Sequence, residues 1–171
     1  MNLYILRHAI ASNPGEDGLS ENLKDSERPL SRKGQQKMWR ATESMRLLDL
    51  ELEAVVSSPL LRCRQTAHIV TEAFGLRRKL SFSNHLAPDG SPKQLIEQLK
   101  SLEEEAKNIL LVGHEPYLSQ LVSLLISGGE LVSVEIKKGA LLKLEVRHLG
   151  YARCASLKWI LPPKVLGLIQ K

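Results

Sequence analysis

The chain has 171 residues, 43% hydrophobic and 25% charged, which fits a single domain spanning residues 1–171 and excludes disordered and fibrous classes. No apolar run approaches the roughly 18 residues of a membrane span, and aromatics, at 4%, are too few for a base-stacking platform, so neither a membrane nor nucleic acid is expected as a partner. The net charge of +5 favours anionic partners instead, phosphate groups and acidic proteins among them.

Strand-like and helix-like segments alternate along the chain. Leu3 to Leu6 is a short apolar run ending at Arg7-His8; with no basic segment before it, it reads as a first strand rather than a signal peptide, and a cytoplasmic location is expected. Residues 12–28, with Pro14, Gly15 and Gly18, read as a loop or lid. Ser31 suits an N-cap, and Lys33 to Leu48 is predicted helical because Met38, Ala41, Met45 and Leu48 recur at intervals of three and four. Ala54 to Ser57 is the second strand. Pro59 is expected to open a second helix, where a missing N–H costs little, and Gly75 to stop it after about Phe74.

Leu80 to Ser83 reads as a short strand. Pro92 to Leu102 is predicted helical, extended by the solvated acidic run Glu103-Glu104-Glu105. Asn108 to Val112 is a buried strand ending at Gly113-His114, and Pro116 starts a helix through Ile126. Ala140 to Val146 and Ser156 to Leu161 read as late strands, the first placing Leu142, Leu144 and Val146 on one side; Pro162-Pro163 ends the second. Strands separated by helices indicate an α/β protein, a three-layer α/β/α sandwich with a mostly parallel sheet and antiparallel edges from the closing pair.

The two cysteines, Cys63 and Cys154, have no zinc-like His/Cys spacing and read as reduced, buried thiols; Cys63, between Arg62 and Arg64, is taken as a helix residue. His68, His85 and His148 belong to no motif and read as surface or satisfied core residues. Two apolar strands, however, end in histidine, at His8 and His114, and the second strand ends at Ser57-Ser58 with Arg62 close behind. Ligands of open α/β sheets bind at the carboxyl ends of strands. A parallel sheet would therefore gather two His and two Arg, a cage for a dianion.

The motifs carry a resemblance. Leu6-Arg7-His8-Ala9 resembles the R-H-G signature of the histidine phosphatase (phosphoglycerate mutase-like) superfamily, with Ala9 where Gly is usual. Leu30-Ser31-Arg32-Lys33-Gly34-Gln35-Gln36 is similar to its helix start, Ser57-Ser58-Pro59-Leu60-Leu61-Arg62-Cys63-Arg64-Gln65-Thr66-Ala67 to its arginine motif, and Val112-Gly113-His114-Glu115-Pro116 to its second histidine motif. The small size and the ending Trp159-Ile160-Leu161-Pro162-Pro163-Lys164 resemble the SixA-type phosphohistidine phosphatase branch.

The resemblance implies a phosphoglycerate mutase-like fold and a phosphatase that needs no metal or other cofactor. His8 would be the nucleophile, neutral at the attacking nitrogen, with its other nitrogen donating to a backbone carbonyl. Arg7, Arg62 and a protonated His114 would bind the phosphoryl oxygens, and Arg64 would face solvent. The implied partner is a phosphate-bearing protein, a histidine phosphotransfer domain. Asp89 and Glu115 are the candidate general acids, although Asp89 suits a turn and Glu115 a helix start equally well. The alternatives are a small-molecule phosphomonoesterase or mutase of the same superfamily, and a non-catalytic phosphate-binding protein.

Overall fold

Alternating apolar side chains on buried strands decide the layers. In the first strand, Leu3 and Ile5 join one core and Tyr4 and Leu6 the other. In the strand at Asn108–Gly113, Ile109 and Leu111 divide from Leu110 and Val112 in the same way. Each of these strands is buried on both faces, which requires helices on both sides of the sheet. The computed structural model describes residues 1–169, so the last two of the expected 1–171 domain lie outside the described residues.

The sheet has six strands: β1 (Asn2–Arg7), β2 (Ala54–Ser57), β3 (Leu80–Phe82), β4 (Asn108–Gly113), β5 (Leu141–Val146) and β6 (Ala155–Leu161), in the order β3-β2-β4-β1-β5-β6. The first four are mutually parallel, and β5 and β6 close the sheet antiparallel. One face carries α1 (Arg32–Leu47), α2 (Leu61–Ala73) and the short α5 (Pro163–Leu166), through Met38, Met45, Cys63, Val70 and Leu166. The other carries α3 (Pro92–Glu103) and α4 (Tyr117–Ser127), through Leu95, Ile96, Leu99, Leu118 and Leu121. This is the expected α/β/α sandwich with antiparallel edges. Among the described residues no helix is long and apolar enough to cross a membrane.

Three details differ from the sequence reading. Pro59 lies outside α2: Leu60 is the N-cap and Leu61 the first helical residue. Pro59 therefore shapes the exit from β2 instead of occupying the first helical turn. α3 stops at Glu103 with Glu104 as its C-cap, because the chain must turn there to enter β4. The two prolines after β6 do not only end a strand, since Pro163 also opens α5, a position its fixed φ favours.

The start of α1 is pinned to the segment behind β1. Ser31 caps the helix by accepting from Gly34 N–H at 3.0 Å, and its own N–H donates to the Ile10 carbonyl at 3.0 Å. Gly34 is needed for this approach, because a Cβ there would stand 2.0 Å from the Ile10 carbonyl oxygen. The helix-start motif thus fixes where the chain runs after His8.

Candidate active site

Register brings the strand ends together. Arg7 is opposite Gly113, and Ser57 opposite Val112, so His8, His114 and Ser58 leave the sheet side by side. The ring centroids of His8 and His114 are 5.2 Å apart, and both side chains are buried. Arg62, the second residue of α2, is buried as well, and the charges of Arg62 and Arg7 bear on each imidazole. The four residues singled out from sequence therefore share one location.

His8 Nδ1 lies 2.7 Å from the Ala9 carbonyl oxygen. A carbonyl only accepts, so Nδ1 carries the proton and Nε2 keeps its lone pair. Burial pushes the His8 pKa down to about 3; the Ala9 hydrogen bond opposes this, while His114, Arg62 and Arg7 add to it. The imidazole is neutral at physiological pH. Ala9 itself is not among the residues with positive φ, so alanine in place of the usual glycine brings no backbone strain.

His114 departs from the expectation of a protonated ring. Burial and then the Arg62 charge hold its pKa down at about 4, with Asp25 pulling upward and Arg7 downward. Its Nε2 is 2.8 Å from Ser58 Oγ and 3.3 Å from Cys63 Sγ, a neutral hydrogen-bonded setting. The charges of Arg62 and Arg7 together outweigh that of the Asp25 carboxylate. Burial also drives the Cys63 thiol far above its ordinary range, so Cys63 is an uncharged neighbour of His114, not a nucleophile.

Arg7 and Arg62 are held differently. Arg7 donates through NH1 to the Ile136 carbonyl at 2.8 Å, while its buried Nε has no hydrogen-bond partner among the described residues. Arg62 donates to Asp25 twice, to its carbonyl at 2.6 Å and to its carboxylate at 2.9 Å. Asp25 sits on a single 3-10 turn, Asp25–Glu27, in the expected lid segment. That segment is strapped at its base by the Ala11–Leu30 bridge and by Arg28, which donates to the Ser12 carbonyl and Asn13 Oδ1.

Sequence reading missed Asp25, whose role depends on a partner far along the chain. It also gave no role to Gln65 and Thr66, although both lie in the matched motif. Gln65 Oε1 accepts from Leu30 N–H at 2.6 Å, and Thr66 Oγ1 accepts from Ala9 N–H at 3.2 Å while donating to the Arg62 carbonyl at 2.7 Å. These bonds tie α2 to both segments that bring histidine and lid to the site.

The two candidate acids part company. Asp89 is exposed and lines a separate cavity of about 400 Å³ with His85 and Gln94. Glu115 follows His114 directly; its buried Oε1 has no partner among the described residues, and burial raises its pKa against the Ser119 hydrogen bonds and the Arg7 charge. Arg64 is exposed and stacks over Phe82, and His68 and His148 are exposed, as expected.

A mostly parallel sheet with histidines at adjoining strand ends places the molecule among the phosphoglycerate mutase-like α/β proteins. The structure of the protein histidine phosphatase SixA complexed with tungstate superposes with a TM-score of 0.82 at 24% identity, covering 97% of this chain and 99% of that one. Residues 3–84 match the histidine phosphatase superfamily (branch 1). An uncharacterised protein of Picosynechococcus is 31% identical over 95% of this chain and 100% of its own length. The phosphohistidine phosphatase SixA homolog of Haemophilus influenzae is 29% identical over 72% of this chain and 76% of its own. The chain belongs to the histidine phosphatase superfamily, whose enzymes are phosphatases.

Proposed function

We propose that this protein is a cytoplasmic phosphohistidine phosphatase that moves phosphate from histidine of a phosphotransfer signalling protein to His8 and then to water, with no metal or other cofactor. The observation that carries this reading is the Nδ1–H bond from His8 to Ala9, which leaves Nε2 as a neutral nucleophile beside His114 and two guanidinium groups.

His8 Nε2 attacks phosphorus as the substrate's P–N bond breaks. An imidazole protonated on its far nitrogen leaves as a neutral ring, so this step needs no general acid. Arg7 and Arg62 offset the charge on the phosphoryl oxygens, as a metal ion would elsewhere, and His114 joins them once the bound phosphate draws a proton onto its ring. Water then attacks phospho-His8, phosphate departs, and His8 leaves as the same neutral ring because Nδ1 has kept its proton.

The test is dephosphorylation of a phosphorylated histidine phosphotransfer domain in EDTA, with acid-quench trapping of labelled phospho-His8. Turnover in EDTA and a trapped intermediate are expected from the wild type, and neither from His8→Ala. Undiminished turnover by His8→Ala, or activity lost to EDTA, contradicts the mechanism. Phosphate binding without a covalent species would make the protein a binder only.

One observation favours a second reading, a small-molecule phosphomonoesterase or mutase. The half-buried Glu115 carboxyl, its Oε1 without a partner among the described residues and its pKa raised by burial, could protonate an alkoxide leaving group. A panel of sugar and nucleotide phosphates against phosphohistidine separates the two, and far faster turnover of an ester reverses the ranking.

A further inference from the structure

Beside the four clustered side chains, on the α1 side of the sheet, runs a trough that the proposed chemistry does not use. Its inner part, about 370 Å³, is bounded by Arg7 and Ala9 and floored by Ile10, Met38, Ala41 and Pro163. It continues into an outer part of about 700 Å³ that shares Lys37, Ala41, Lys137 and Pro163 and reaches the exposed Leu168. Five cations rim it: Lys37 and Arg40 from α1, Lys137 and Lys138 from the turn before β5, and Lys164 from α5. Among the described residues no acidic side chain lines either part, and Lys137 pairs with Glu135 at 3.7 Å.

We infer that this trough docks an acidic surface of the phosphoprotein substrate, seating an apolar side chain over Met38 and Pro163 while carboxylates meet the lysine rim. The inference rests on the phosphohistidine phosphatase reading and names the partner's chemistry. Charge complementarity selects the occupant. The cations come from three separate chain segments, and all five side chains are exposed. Such a rim does not hold one small anion at a fixed point, as convergent buried donors would. It attracts and orients an extended acidic face, and lysines of this kind act mainly on the rate of encounter. Arg7 links the two regions, since it borders the inner trough and also bears on His8. A partner seated in the trough is thereby placed next to the phosphoryl site.

The experiment compares wild type with the triple variant Lys37→Glu/Lys138→Glu/Lys164→Glu. Lys137 is left intact because the adjoining Ile136 carbonyl holds Arg7. Two substrates are used: phosphoramidate, too small to reach the trough, and a phosphorylated, net-acidic histidine phosphotransfer domain. The triple variant should keep phosphoramidate kcat/KM within about twofold of wild type. Its kcat/KM on the domain should fall by roughly tenfold or more, and wild-type turnover of the domain should drop steeply with added salt.

Equal loss on both substrates overturns the inference, because the lysines then serve the phosphoryl pocket itself. Unchanged turnover of the domain overturns it too. So does a sugar bisphosphate that loses turnover in the triple variant while the domain does not, since the trough then holds a small ligand. Wild-type turnover of phosphoramidate but not of the domain removes the partner and leaves the His8 reaction standing. Turnover of neither, with no phospho-His8, instead strikes the proposed function and this inference with it.

Discussion

Asp25 and Arg62, 37 residues apart, form a two-point contact in which the carbonyl and the carboxylate of one residue both accept from the guanidinium of the other. Burial works to raise the Asp25 pKa, but the hydrogen bond and charge of Arg62, reinforced by Arg28, hold it below the ordinary carboxylate value. The carboxylate thus orients Arg62 and also offsets the charge that an incoming phosphate would meet.

Asp25→Asn separates those two effects, because an amide oxygen can still accept from Arg62 while the negative charge is gone. Inorganic phosphate should bind roughly threefold to tenfold more tightly, a range limited by solvent screening at this exposed carboxylate. Isothermal titration measures it, and weaker binding would show that the charge itself is needed to hold Arg62.

Arg62→Lys should fold normally and lose about 10²–10³ in kcat, since a planar fork becomes a point charge that cannot meet both Asp25 and a phosphoryl oxygen. Steady-state kinetics on phosphoramidate and circular dichroism together check this. Wild-type kcat in a folded variant would remove Arg62 from the phosphoryl site.

His114, held at about 4, enters the reaction neutral and takes up a proton from solvent as the charge of the bound dianion raises its pKa. Binding an oxyanion that stays doubly charged, such as tungstate, should therefore take up protons. Because the bound state holds more of them, affinity rises as pH falls from about 7.5 to about 5.5. Calorimetry in buffers of different ionisation enthalpy reads the uptake directly, and His114→Asn should abolish most of it. Binding with no proton uptake in the wild type contradicts this sequence.

Gly34→Ala should cost about 3 kcal/mol or more of stability, the upper end of overpacking penalties, because its Cβ would meet the Ile10 carbonyl backbone at 2.0 Å and not a side chain that can swing away. Urea denaturation measures the loss. A change under about 0.5 kcal/mol would mean that α1 shifts freely against the segment behind β1.

Glu115→Gln distinguishes the two substrate classes. If its raised carboxyl donates a proton to an ester leaving group, ester hydrolysis should fall by about 10²-fold or more while phosphoramidate turnover changes little. Equal small effects on both would leave Glu115 as a helix-start residue.

Two-faced strands at Leu3–Leu6 and Asn108–Val112, the apolar stripe of α1 and the histidines that end β1 and β4 were all legible in the sequence. Each is encoded locally, by a period of two or 3.6 or by a residue following an apolar run. Pro59 misled because proline suits both a first helical turn and the residues just before it, and propensity alone does not separate the two. The 3-10 turn at Asp25–Glu27 has no periodicity, and nothing in its own composition ties it to α2.

By itself, then, the sequence determined the sandwich, the family and the four side chains gathered at one sheet edge, because burial follows from patterns within a few neighbouring residues. Only the tertiary structure decided that Nδ1 of His8 bears the proton, that His114 is neutral, that Asp25 grips Arg62 and that five scattered cations rim one trough. Protonation, hydrogen-bond partners and surface charge depend on groups that folding brings from distant parts of the chain, and no local pattern records which ones will meet.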